Sequence, residues 1–257
     1  MKRTFAVAVN TFRETIRDRI LGVIILFALA LIVASLWLAS ISLGQEDRMI
    51  KDFGLVAVSF FGLIVAAFVA ASLVRKEVEK RTVFIIFSKP VSRSEFIWGK
   101  FLGLAATMFT VLAGMTVFLF LLAWVVARSP SGSVLLAGLL IYLQLLVVMA
   151  LTILFSTMTS AVLASAWGIC LYAAGELSHN VLSLSHVGHS AITPVTHVAS
   201  AVVFYVVPNL SAVDIRAPIV GEGAVAWGSL AAWCGYLVAY LVVVLFVTTW
   251  IFRRKEF

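Results

Sequence analysis

The chain has 257 residues, 63% apolar and 12% charged, with 19 basic against 12 acidic side chains and a net charge of +7. Soluble domains average about 45–50% apolar and about 25% charged residues, so this chain lacks the polar residues to cover a surface facing water. Disorder is excluded on the same ground, and two cysteines exclude a disulfide-stapled secreted scaffold. The composition is that of an all-α integral membrane protein, in which a basic excess marks the side of the loops rather than a nucleic-acid partner.

Residues 1–19 predict an amphipathic helix. Phe5, Val9, Phe12, Ile16 and Ile20 recur at three- and four-residue steps, while Arg3, Asn10, Arg13 and Arg17 fall on the opposite face. Such a helix lies in the membrane interface, with its arginines toward anionic headgroups. The same residues also fit a basic N-terminus that only orients the first span. The apolar run that follows is span-length and has no small-residue cleavage site, so a secretory signal peptide is not expected.

Crossing the hydrocarbon core takes about 20 apolar residues. Runs of that kind occupy residues 20–43, 53–74, 101–127, 134–155, 157–177 and 226–252. Six spans place both termini on one side. Fifteen basic residues then share that side, including Lys2, Arg3, Arg13, Arg17 and Arg19, the 75–100 loop and Arg253–Lys255, and four lie opposite. This bias makes both termini cytoplasmic. Trp37, Trp98, Trp124, Trp227 and Trp250 fall near span ends, as an aromatic belt requires. No repeat or linker divides the chain, which is expected to form one domain.

The cytoplasmic loop at 75–100 has a pattern of its own: mixed charge from Arg75 to Arg81, an apolar patch from Val83 to Phe87, a break at Pro90, and a new helix from Ser92 or Ser94 into the third span. A loop facing water has no reason to display Val83, Phe84, Ile85, Ile86 and Phe87 unless something covers them, either the bundle or a partner protein. Between the fifth and sixth spans, the external segment 178–225 holds an apolar stretch at 191–210 with Pro194, His197 and Pro208. A seventh span there would put the basic tail outside, so amphipathic or re-entrant helices are expected instead.

The order of amphipathic helix, two spans, "RKEVEKRTVFIIFSKPVSRSEFIWGK", four spans and basic tail resembles permease subunits of ABC-2 type exporters, most of all the branch with the permease for nitrous oxide reductase maturation. The resemblance implies that residues 1–19 form the elbow helix and that the 75–100 loop carries a coupling helix seated in a cleft of an ATPase subunit. Its motif falls on Glu77, Glu79, Arg81, Thr82, Ser88, Lys89, Pro90, Val91, Ser92, Arg93, Gly99 and Lys100, and the apolar patch brings Val83, Phe84, Ile86 and Phe87 to the same coupling surface. The segment from Tyr205 to Arg216 also looks like that branch. The implied partners are two soluble ATPase subunits, a second permease copy, membrane lipid and a periplasmic or extracellular accessory protein, in a bacterial cytoplasmic membrane. A substrate path between spans one, two and five of the two copies follows by resemblance.

No Gly-x-x-x-x-Gly-Lys-Ser/Thr loop is present, since Gly99-Lys100 is followed by Phe101. ATP and magnesium are therefore expected on a separate ATPase chain, with no cofactor here. The spans carry no ionisable residue at mid-depth, which weighs against ion-coupled transport, and no residue is assigned a catalytic role. An uncharged path suits an amphiphilic, lipid-like or drug-like substrate. A non-transporting scaffold or assembly factor, or an ATPase-independent channel, are the alternatives. His179, His186, His189 and His197 cluster within one segment, and His186 and His189 would share a helix face. A metal or pH-sensing site there lacks a carboxylate or cysteine to complete it, so polar trim on external helices is the favoured reading. Cys170 and Cys234 are expected as reduced packing residues, and Gly99/Gly103 and Ala164/Gly168 as close helix contacts within one chain.

Overall fold

A computed structural model describes residues 2–41, 46–79, 92–127, 132–187, 210 and 227–254. All regular structure among them is helical: α1 Lys2–Ile16, α2 Arg19–Ile41, α3 Glu46–Glu79, α4 Arg93–Ala127, α5 Ser133–Ser156, α6 Ala161–Val187 and α7 Trp227–Arg254. Five of these, α2, α3, α4, α5 and α7, are long and apolar enough to cross a membrane. The apolar stretch of α6 whose side chains are described, Ala161–Glu176, is shorter, although the helix itself runs on to Val187. The protein is a multi-pass membrane protein.

Local chemistry sets the helix ends. Between α1 and α2 the chain turns at Arg17-Asp18. The Asp18 amide donates to the Thr15 carbonyl at 3.0 Å, and its carboxylate accepts from the Ile20 amide at 3.0 Å, which caps α2. Ser160 plays the same part for α6, its hydroxyl accepting from the Leu163 amide at 3.5 Å. Helix α3 extends past its apolar run at both ends, taking in charged residues from Glu46 to Lys51 and from Arg75 to Glu79. Helical bonding does not stop where apolar side chains do. Inside the bundle, the hydroxyls of Thr107, Thr152, Thr248 and Thr249 each donate to the carbonyl one turn back, so they need no outside partner in an apolar medium.

Helices α3 and α5 form the centre. α3 packs against α2, α4, α5 and α6, and α5 against α3, α4, α6 and α7. About two thirds of the apolar stretch is buried in each, against a third or less in α2, α4 and α7. These outer helices are apolar all round, yet they leave Phe27, Trp37, Trp124, Tyr236, Phe246 and Trp250 exposed, a pattern that requires lipid or another subunit as the covering medium. Gly168 of α6 sits so close to Thr152 of α5 that a Cβ there would strike the Thr152 side chain. The Ala164/Gly168 spacing thus serves packing within the chain.

Three basic regions meet at one end of the bundle. α1 lies along the start of α4, and Arg253 near the end of α7 donates to the Ser94 hydroxyl at 3.3 Å. The end of α5 lies beside α3 near its C-terminal end, with the Ser156 hydroxyl 3.4 Å from the Ala71 carbonyl.

Candidate functional site

The coupling segment expected between α3 and α4 falls mostly outside the described residues: Arg81, Thr82, Val83, Phe84, Ile86, Phe87, Lys89 and Pro90 all do. Glu77 and Glu79 belong to the last turns of α3, and Arg93 opens α4. The structure therefore supplies the frame on either side of that segment, and above all the foot of α4, residues 92–103.

Ser92 begins that foot. Its hydroxyl accepts from the Glu95 amide at 3.2 Å, and its own amide donates to the Glu95 carboxylate at 3.0 Å. This reciprocal pair satisfies two amides that the first turn would otherwise leave open. The Ser-x-x-Glu spacing makes Ser92, rather than Ser94, the cap, so the chain leaving residues 80–91 enters α4 at a fixed point.

One side of the foot receives α1. A Cβ on Gly99 would lie 2.8 Å from both the Thr4 carbonyl oxygen and Val7 Cβ, and one on Gly103 would lie 2.5 Å from the Ala8 carbonyl oxygen and 2.7 Å from Thr11 Cβ. Only glycine lets the two helix backbones approach this closely. At about 100° per residue, Thr4, Val7, Ala8, Thr11 and Thr15 share one face of α1, and Thr11 and Thr15 are buried. Phe5, Phe12 and Ile16 form a second face, on which Phe5 stays 70% exposed and Ile16 38%. Arg3, Asn10 and Arg13 form a third, and all three are exposed. The helix thus has three faces, where the sequence pattern gave two. The packing face was missed because it is built of threonine and alanine rather than large apolar residues; the glycine pair opposite was the available signal. Val9 is half-buried, and Arg17, just past the helix, is exposed.

The other side of the foot receives α7. The rings of Phe96 and Phe252 stack at 6.2 Å between centroids and 17° between planes, and with Ile97 they form a small buried cluster. Trp98 meets Phe246 edge-on at 6.0 Å. The ammonium of Lys100, a buried residue, lies 4.6 Å from the centre of the Phe96 ring, and the Arg254 guanidinium lies 3.9 Å from the Trp250 ring. Nothing in the spacing of Phe96 and Phe252 along the chain announced this contact.

Among the described residues no group of three His, Cys, Asp or Glu side chains could hold a metal ion. His179 and His186 lie on the backbone of α6, while His189 and His197 fall outside the described residues. An apolar groove of about 120 Å³ between α4 and α5 is lined by Phe109, Leu112, Thr116, Leu139 and Tyr142; the Tyr142 hydroxyl is already engaged by the Ala105 carbonyl at 3.2 Å. The foot of α4 joins three helices next to the expected contact with a partner.

A model of the ABC-2 family transporter proteins matches residues 5–257. The chain belongs to that family. The match covers α1 through the basic tail and does not single out a branch. A search of curated proteins finds no match. Members of the ABC-2 family supply the membrane component of a transporter and work with an ABC ATPase.

Proposed function

We propose that this ABC-2 family chain is the permease of an ATP-driven exporter, with α6 as a sixth span and both termini in the cytoplasm. Two copies and two separate ATPase chains, which bind the ATP and magnesium, would make the working unit. The grouping of Arg3, Arg13, Arg253 and Arg254 at one end of the bundle supports this orientation. So does the length of α6, whose helix from Ala161 to Val187 spans about 40 Å at 1.5 Å per residue. The Phe5, Phe12 and Ile16 face of α1, with Phe5 and Ile16 exposed and Phe12 half-buried, suits the membrane interface, with Arg13 and Arg17 toward lipid headgroups.

The observation that carries the mechanism is the double attachment of the foot of α4, to α1 through Gly99 and Gly103 and to α7 through Phe96 and Phe252. When ATP closes the ATPase dimer, residues 75–100 take the push. Glu77, Glu79, Arg81, Thr82, Lys89 and Arg93 supply polar contacts, and Val83, Phe84, Ile86 and Phe87 the apolar patch, with Pro90 setting the turn. The capped entry at Ser92 passes the displacement into α4, and α1 and the end of α7 travel with it as one rigid body. Spans one, two and five of the two copies would then move apart around a path suited to an amphiphilic, lipid-like or drug-like substrate.

Mild-detergent purification of the tagged chain from its own membrane, followed by mass spectrometry, tests this reading. A stoichiometric soluble partner with a phosphate-binding loop is expected, and a Phe84→Asp, Ile86→Asp variant should lose it. A chain that comes out alone under conditions that keep known complexes intact would favour a channel or a scaffold. A variant that keeps its ATPase would overturn the coupling assignment.

A further inference from the structure

Phe246, Trp250 and Arg254 stand at four-residue steps along α7 and so form one stripe. Its aromatic members face outward, Phe246 64% and Trp250 55% exposed, on a helix long and apolar enough to cross a membrane. Lipid is the medium such a face meets. A tryptophan near the end of a span sits at headgroup level. At 1.5 Å per residue, Phe246 then lies about 6 Å deeper, among the acyl chains, and Arg254 about 6 Å farther out, level with the phosphates. The order of apolar ring, amphipathic ring and cation follows a phospholipid from its tails to its headgroup.

The cation is held in place. The Arg254 guanidinium lies 3.9 Å from the centre of the Trp250 ring, a contact that orients it and leaves its N–H edges for other partners. Among the described residues no carboxylate lies within ion-pair distance of Arg254. Arg253 stands beside it and donates to the Ser94 hydroxyl at 3.3 Å, so a second guanidinium and a hydroxyl of α4 share the same level. Both arginines are exposed. Glu95, the carboxylate next to Ser94, is taken up by the Ser92 amide and hydroxyl. Deeper down, Trp98 meets Phe246 edge-on at 6.0 Å, which brings α4 against the same stripe. Two adjacent guanidiniums and a hydroxyl beyond an exposed aromatic shelf match one ligand chemistry: a phosphodiester of net negative charge whose tails stay in the hydrocarbon.

We propose that the end of α7 and the foot of α4 bind the headgroup of an anionic phospholipid, with Arg253 and Arg254 on its phosphate. Trp250 is a positioning residue, since it acts by orienting Arg254. The bound lipid straps the last turn of α7 to the first turn of α4 from outside, at the junction that Phe96 and Phe252 make from within. This inference rests on the membrane crossing of α7 and not on ATP-driven transport, so either can fail without the other.

The test is native mass spectrometry of the full chain, purified in a mild neutral detergent and titrated with phosphatidylglycerol or with phosphatidylcholine of the same acyl chains. The parent chain is expected to hold phosphatidylglycerol about tenfold more tightly. The Arg253→Gln, Arg254→Gln variant should weaken that binding about 30-fold, the combined scale of two arginines at a membrane surface. Trp250→Leu should weaken it about two- to fivefold, the scale of one cation–π contact. Arg48→Gln, which removes an exposed arginine on α3, should bind like the parent. Equal retention of the two lipids by the parent, or undiminished binding by the arginine variant, would overturn the site. Parent-like binding by Trp250→Leu would overturn the built site in favour of diffuse surface charge. Displacement of the lipid by an equal concentration of soluble glycerol phosphate would overturn the membrane lipid as its occupant.

Discussion

The Phe96 ring lies nearly parallel to the Phe252 ring, with their centroids 6.2 Å apart, and this pair fastens the last turn of α7 to the first turns of α4. It is a contact between residues far apart in sequence, made beside the point where the chain arrives from residues 80–91. Phe252→Ala should destabilise the chain by about 3 kcal/mol, the usual cost of emptying a phenylalanine site. Thermal unfolding in detergent should register a fall of several degrees. Phe252→Leu, which refills most of the volume, should recover the larger part. An unchanged melting temperature in Phe252→Ala would remove α7 from the foot.

The seat of α1 predicts a steep size dependence at two glycines. Gly103→Leu must push α1 away, because a backbone carbonyl stands where the new side chain would begin, at a cost of about 1–3 kcal/mol. Trypsin should then cut sooner after Arg13 and Arg17. Gly22→Ala is the control: its Cβ would meet nothing within 4 Å, and it should cleave like the parent chain. Equal cleavage of the Gly103→Leu chain and its parent would sink the seat.

Ser92→Ala removes one half of the reciprocal cap and should cost about 1 kcal/mol, while Ser92→Asp should keep most of it. If the foot passes on the movement of the coupling segment, Ser92→Ala should also lower transport per ATP hydrolysed more than it lowers ATPase binding. Equal losses in both would confine the cap to stability.

At the other end of the bundle, Lys51 is buried and its ammonium lies 2.6 Å from the half-exposed Asp47 carboxylate, one turn away on α3. Removing the Asp47 carboxylate takes a close counter-charge from a buried ammonium. Asp47→Asn and Lys51→Met should each destabilise the chain, and the double variant by less than their sum, with a coupling of about 0.5–3 kcal/mol. Additive losses would show that the pair does not act as a unit.

Much of this architecture was legible in the sequence, for reasons that differ by element. The apolar runs fixed α2, α4, α5 and α7 because no other solvent tolerates them. A cap at Ser92 or Ser94 was legible, though not which of the two, until Glu95 closed on Ser92, and the spacing of Gly99 and Gly103 announced a close helix contact without saying with what. The extra turns of α3, from Glu46 and on to Glu79, were hidden because charge at a helix end reads as loop in any hydropathy count. The third face of α1 was hidden because Thr11 and Thr15 look like surface residues until a glycine pair stands opposite. The burial of Leu210 was left open, since the 191–210 stretch read equally as surface-lying or re-entrant and nothing in it pointed to Gln144, on another helix, whose amide bonds the Leu210 carbonyl. The coupling residues from Arg81 to Pro90 rest on their motif and lie outside the described residues.

The glycine seat also sets an order of assembly. α1 leaves the ribosome before the surface it packs on, which belongs to α4 and is made only after α2 and α3 have been synthesised. Until then the newborn chain must park its first segment somewhere, and the Phe5, Phe12 and Ile16 face lets it float on the bilayer. α1 is therefore made well before it can dock, and any delay in the insertion of α4 would prolong the time it spends adrift.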